Sequence, residues 1–128
     1  MGDKFMHLGL LWLRVLMGSG IAYHGYGKIF DGGMPGFIEG VTKMGFAMPV
    51  VFAWIAALSE FLGGILIVLG LGTRYAAFFV FATMFVAAFI AHGEDTFDKK
   101  EMALAYWTMA GTLVLTGGGG IGLGGKGK

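Results

Sequence analysis

Glu60 is the only ionisable side chain between Lys43 and Arg74, in a stretch that reads MPVVFAWIAALSEFLGGILIVLGLG. Arg14 is stranded in the same way inside LLWLRVLMGSGIAY. A charge at the middle of a bilayer costs roughly 3 kcal/mol on insertion scales, so such a side chain faces protein or water and has a partner. If the apolar stretches are lipid-embedded, the fold must turn both charges inward. The simplest partner for each is the other, and a buried Arg14–Glu60 ion pair is expected.

Composition supports the lipid-embedded premise. Of 128 residues 56% are hydrophobic and 13% charged, where a soluble domain carries about a quarter charged residues. Mean hydropathy is +0.76. One membrane domain is the class that fits. A net charge of +1 gives no basic surface for phosphates, so no nucleic-acid partner is expected. The chain has no cysteine, which removes disulfides, thiolate metal sites and thiol catalysis, and no metal site is expected. Arg14 interrupts the first apolar run and no small-residue cleavage site follows it, so a cleaved signal peptide is not expected.

Four apolar segments emerge, at about 7–26, 48–69, 73–92 and 102–116, each near the roughly 20 residues needed to cross a bilayer as a helix. The last is the shortest. Gly70, Leu71 and Gly72 join the second and third in a tight hairpin, and the polar GEDTFDKK joins the third and fourth. Between the first and second, Asp31–Gly36 is turn chemistry. Phe37, Ile38, Val41, Met44 and Phe46 then give a short amphipathic segment suited to the membrane interface. The expectation is an all-α four-transmembrane-helix bundle over residues 1–116, with a Gly-rich tail at 117–128 that is flexible by composition.

Four spans put both termini on the side of the 70–72 hairpin. Lys4, Arg74, Lys126 and Lys128 there balance Lys28, Lys43, Lys99 and Lys100 opposite, so basic residues do not fix orientation. The acidic residues cluster opposite the termini, which leans the termini towards the cytoplasm.

At helical spacing Arg14, Gly18, Ile21, Gly25 and Lys28 share one stripe of the first segment. Ala53, Ala56, Ala57, Glu60, Gly63 and Gly64 share one side of the second. Small residues so placed let membrane helices approach closely. In the fourth segment Glu101, Ala105, Thr108 and Thr112 form a similar stripe. Counted from the segment ends at 1.5 Å per residue, Arg14 lies roughly 10 Å and Glu60 roughly 14 Å from the same membrane face.

His24, Lys28, His92 and Glu101 all fall at the opposite interface. Ionisable groups from three helices at one level make a candidate pocket there, floored by the Arg14–Glu60 pair. Plainer readings stand beside this one. A buried ion pair also serves simply to fix helix register, interfacial histidines are common, and lysines at helix ends snorkel to headgroups. Tyr23, Tyr26, Tyr106 and Trp107 read as interface anchors.

The ordered motifs resemble the DoxX family. LLWLRVLMGSGIAYHGYGKIF resembles its opening, an Arg followed by His-Gly-x-x-Lys-x-Phe. SEFLGGILIVLGLGTRYAAF resembles its Glu-x-x-Gly-Gly segment, Gly-rich hairpin and Thr-Arg. His92 and EMALAY follow in the same order. The likeness covers about 8–120. It implies a four-helix inner-membrane protein of bacteria or archaea, with relatives that include the small DoxD-type subunit of thiosulfate:quinone oxidoreductase. The polar positions it carries over are Arg14, His24, Lys28, Glu60, Arg74, His92 and Glu101. The GGGGIGLGGKGK ending departs from the Gly-Pro-Gly … Ser-Leu-Asp tail often found in the family.

Three functions follow. The first is a subunit of a quinone-linked sulfur or thiol oxidoreductase. His24 or His92 would donate to quinone carbonyls, Glu101 or Glu60 would pass protons, and electrons would come from a partner or a co-substrate, because the chain carries no haem, flavin or iron–sulfur motif. The second is a non-catalytic anchor for a partner subunit. The third is a small-solute transporter, disfavoured by four helices with no inverted repeat unless the chain forms a homo-oligomer.

Overall fold

The computed structural model describes residues 2–91 and 96–124, and its regular structure there is entirely helical. The elements are α1 (Gly2–Phe30), α2 (Met34–Lys43), α3 (Pro49–Leu69), α4 (Thr73–Val86), a π-helical turn (Ala87–Ala91) that continues α4, and α5 (Phe97–Thr116). Three stretches, Asp3–Phe30, Pro49–Leu69 and Thr73–Ile90, are long and apolar enough to cross a membrane. α5 is 20 residues long, and the charges of its first turns (Asp98, Lys99, Lys100 and Glu101) keep it out of that class. Trp12, Tyr23, Tyr75 and Leu115 are each more than 70% exposed. So apolar an exterior suits lipid rather than water.

α1 and α3 form the closest contact, and glycine makes it possible. A Cβ added at Gly18 would lie 2.7 Å from the Gly64 carbonyl oxygen, and one at Gly64 would lie 2.6 Å from the Ala22 nitrogen. A Cβ at Gly25 would lie 2.5 Å from the Phe61 nitrogen. Backbone therefore meets backbone at two levels, which locks the antiparallel register. The expected inward stripes of α1 and α3 are both found. Gly18, Ile21 and Gly25 are buried, as are Ala53, Ala57, Glu60, Gly63 and Gly64.

That register overturns the depth assigned to Arg14. At 1.5 Å per residue α1 is about 43 Å long and α3 about 31 Å, so α1 overhangs its neighbour. The sequence reading set residue 7 level with the end of the hairpin. Instead Arg14 is level with Ile67 and Val68, at the very end of α3. There it meets a helix C-terminus, whose last carbonyls have no partner within the helix and carry partial negative charge.

Each of the last four carbonyls of α3 has a donor. Gly70 takes a left-handed conformation (φ 73°) and ends α3 in a Schellman pattern. Its N–H donates to Ile67 O at 3.2 Å, and that of Leu71 donates to Leu66 O at 3.0 Å. Arg14 Nη2 donates to Val68 O at 3.3 Å, while Nε donates to Ile67 O at 3.0 Å. Leu69 O and Gly70 O accept from the amides of Leu123 and Gly124, both at 2.9 Å. The tail through Gly124 is therefore tied to the hairpin, where composition alone read it as flexible. Arg14 Nη1 holds it further, donating to Gly118 O at 2.8 Å and to Ile121 O. The Gly120 amide donates to His7 Nδ1 at 2.8 Å.

The remaining helices complete the bundle. α4 lies between α3 and α5, and α1 touches α5 only lightly. On α5 the buried residues are Ala103, Ala110 and Leu113, with Tyr106 half-buried on the same stripe. Glu101, Ala105, Thr108 and Thr112, expected inside, are exposed. The hydroxyls of Thr108 and Thr112 explain this, because they donate to their own helix at Leu104 O (2.8 Å) and Thr108 O (3.1 Å). Threonine bonded four residues back needs no interior partner. The connection between the first two apolar segments holds a ten-residue helix, α2. It buries Met34 and Val41 against Ala53 and Ala57, and Phe37, Ile38, Met44 and Phe46 pack around them.

Candidate functional site

Glu60 projects from the glycine-rich face of α3 and is 2% exposed. In the register set by Gly25 against Phe61, the α1 residue that reaches it is Lys28. Lys28 Nζ donates to Glu60 Oε1 at 2.7 Å. The same ammonium stands over the Phe37 ring of α2, 4.6 Å from its centroid, close enough for a cation–π attraction. Lys28 thus joins α1, α2 and α3.

The expected Arg14–Glu60 pair is not formed. Arg14 is 1% exposed, and its recorded partners are carbonyls at the far end of the bundle, with no carboxylate within ion-pair distance among the described residues. The two stranded charges are answered separately. Arg14 meets helix-end dipoles, and Glu60 meets Lys28, which was expected in the pocket but not as the partner of Glu60.

The Lys28–Glu60 pair lies on the wall of a cavity of about 780 Å³ at the end of the bundle away from the hairpin. α2 closes one side with Phe37 and Val41, and Met44 just after it adds to that side. Ile21 and His24 of α1, Ser59 of α3, and Met84 of α4 contribute further wall. The π-helical turn adds Ala87 and Ile90, and α5 adds Met102, Ala103 and Tyr106. π-helical turns of this kind often occur at functional sites.

Of the four residues expected to ring this mouth, His24 and Lys28 line the cavity. Glu101 does not; it is exposed in the second turn of α5. His92 lies outside the described residues. Glu60 belongs to the cavity, but paired with Lys28 rather than as a floor shared with Arg14. Arg74 is exposed on the hairpin side and donates to Leu115 O at 3.3 Å.

Lys43, Ser59, Thr83 and Tyr106 are polar lining residues that were not expected in the pocket. Ser59 sits beside Glu60 in the motif and lines the cavity. Tyr106 had been read as an interface anchor, yet it turns inward and stands edge-on to His24, with ring centroids 5.9 Å apart and an 80° interplanar angle. The signal was the 103/106/110/113 spacing of α5, an inward stripe in which Tyr106 is the one polar member. Trp107 also turns inward, stacked on Phe81 at 5.2 Å. Tyr23 and Tyr26 remain on the outer surface as expected.

A family model described as DoxX matches residues 9–93, more than half of the chain. The chain belongs to the DoxX family. The matched stretch contains Arg14, His24, Lys28, Ser59 and Glu60, and ends before Tyr106. A similar protein is the Putative oxidoreductase CatD of Bacillus subtilis (strain 168). It is 34% identical over 88 residues, covering 69% of this chain and 62% of that protein. This DoxX chain therefore spans less than two thirds of its relative's length. No solved structure matches it.

The paired charges make a specific energetic prediction. Removing one member of a buried pair leaves the other uncompensated, so Glu60→Gln or Lys28→Met should each destabilise the protein in micelles by about 3 kcal/mol. The double change to Met should cost less than the worse single change. Arg14→Met should add independently to Glu60→Gln, since the two residues share no partner. Unfolding midpoints in detergent measure all of these; harmless single changes, or coupling between positions 14 and 60, would contradict the assignment.

Proposed function

We propose that this DoxX protein is a four-span inner-membrane subunit of a quinone-linked oxidoreductase system, and that the cavity beneath α2 receives a quinone head group. The supporting observation is the electrical character of the cavity. Its buried carboxylate is already neutralised by Lys28 at 2.7 Å. Beyond that pair, His24 and Ser59 offer neutral hydrogen-bonding capacity and the exposed Lys43 adds one cation, in walls that are mostly apolar. A free anion would meet Glu60, find Lys28 engaged, and have only the exposed Lys43 to pair with. A neutral ring with carbonyl acceptors and an apolar tail meets neither obstacle.

Quinone reduction consumes two electrons and two protons. His24 and Lys28 are proton-bearing groups at the cavity wall, and Glu60 can hold a proton returned through Lys28. The electrons come from a partner subunit's redox group or from a small reductant, since the chain has no thiol of its own. The oxidoreductase name of the Bacillus subtilis relative points the same way.

The fourth span in this reading is α5. Its first half lines the cavity end through Met102 and Ala103. Its C-terminus delivers Gly118 to Arg14 at the hairpin end, so it runs the length of the bundle. α2 then lies in the interface over the mouth.

Two measurements test the proposal. Single cysteines at positions 71 and 97, in a chain that has none, should label from opposite faces of the membrane; labelling from one face would remove the fourth span. Protein extracted in mild detergent should carry lipid-soluble quinone, detectable by mass spectrometry, and His24→Ala should lose it while remaining folded. Absence of quinone from the native protein would instead favour the non-catalytic anchor.

A further inference from the structure

Tyr106 is the polar residue of the cavity that comes from outside the family-matched stretch, and several observations converge on it. It lies on the buried stripe of α5 with Ala103 and Ala110. Its ring is held edge-on by His24 at 5.9 Å. Its hydroxyl rests in a notch on α1 that exists only because residue 20 is glycine, since a Cβ there would overlap the phenolic oxygen. No hydrogen bond engages that hydroxyl among the described residues, and it is not sealed away from the cavity. An O–H beside an apolar cavity with no protein acceptor is a donor in need of one.

We infer that Tyr106 is a ligand-binding residue that donates its hydroxyl hydrogen to a ring carbonyl of the bound quinone. This rests on the quinone reading of the site. It adds a contact from α5, beyond residues 9–93, so that α1 and α3 supply the paired charges and α5 supplies a neutral donor. A ligand with no oxygen at that position loses the contact and leaves the hydroxyl unsatisfied.

The test uses the full chain in lipid nanodiscs with two probes, decyl-ubiquinone and a decyl-benzene analogue without ring oxygens. Quinone binding is read by quenching of tryptophan fluorescence, and analogue binding by displacement of the quinone. Tyr106→Phe keeps the ring and removes one hydroxyl, so it should weaken quinone binding roughly five- to tenfold and leave analogue binding unchanged. The infrared carbonyl stretch of the bound quinone should lie lower in the wild type than in Tyr106→Phe. Gly20→Ala, whose methyl would displace the hydroxyl, should reproduce both effects. An equal loss for both probes would reduce Tyr106 to packing, and unchanged quinone binding with an unshifted carbonyl stretch would overturn the assignment outright. A wild-type protein that binds no quinone would overturn the quinone reading and this inference together. Quinone binding that is normal in wild type and unaffected in Tyr106→Phe would overturn this inference alone.

Discussion

The contact between α1 and α3 is the constraint on which the rest of the structure depends. Two transmembrane-length helices can approach until their backbones touch only where neither carries a side chain. Gly18 and Gly25 of α1 and Gly64 of α3 supply those positions. Dispersion and backbone dipoles, rather than expulsion of water, drive association inside a bilayer. Once Gly18 faces Gly64 and Gly25 faces Phe61, every other residue of the two helices has a fixed neighbour. Lys28 is then the α1 cation that reaches Glu60.

The two ends of the bundle solve the same problem differently. At the hairpin end Arg14 is buried with carbonyls as its recorded partners, an arrangement that suits a planar, five-donor cation at a helix C-terminus. A lysine could not span acceptors on both α3 and the tail. At the other end Lys28 and Glu60 form a direct pair, and Phe37 covers the ammonium. One end is closed by the chain's own glycine-rich tail, and the other holds a cavity. At the closed end Arg14 is engaged with backbone carbonyls, whereas among the described residues His24, Ser59 and Tyr106 at the open end make no hydrogen bond.

Much of this was legible in the sequence, and the failures have physical causes. The stripes of α1 and α3 could be read because small residues and a stranded charge recur at helical spacing. The three-residue hairpin was legible because glycines bracket it between two long apolar runs. The partner of Glu60 was not, because register depends on how far α1 overhangs α3, and hydropathy gives no sharp start to a helix that opens with Gly2, Asp3 and Lys4. The inward face of α5 was misassigned because Thr108 and Thr112 look polar but satisfy themselves. The tail looked unstructured because its order comes from backbone hydrogen bonds to Arg14, Leu69 and Gly70, which composition does not encode.

The functional reading depends on the same register, since it decides which charges are neutralised inside the cavity. Solid-state NMR dipolar recoupling can measure it directly in lipid, between ¹⁵N at lysine Nζ and ¹³C at the glutamate carboxyl, with Glu60→Gln as the blank. The account requires strong dephasing that reports the Lys28 Nζ–Glu60 Oε1 contact of 2.7 Å and disappears in the blank. Dephasing of the Glu60 carboxyl by the Arg14 guanidinium, with none from lysine, would contradict it.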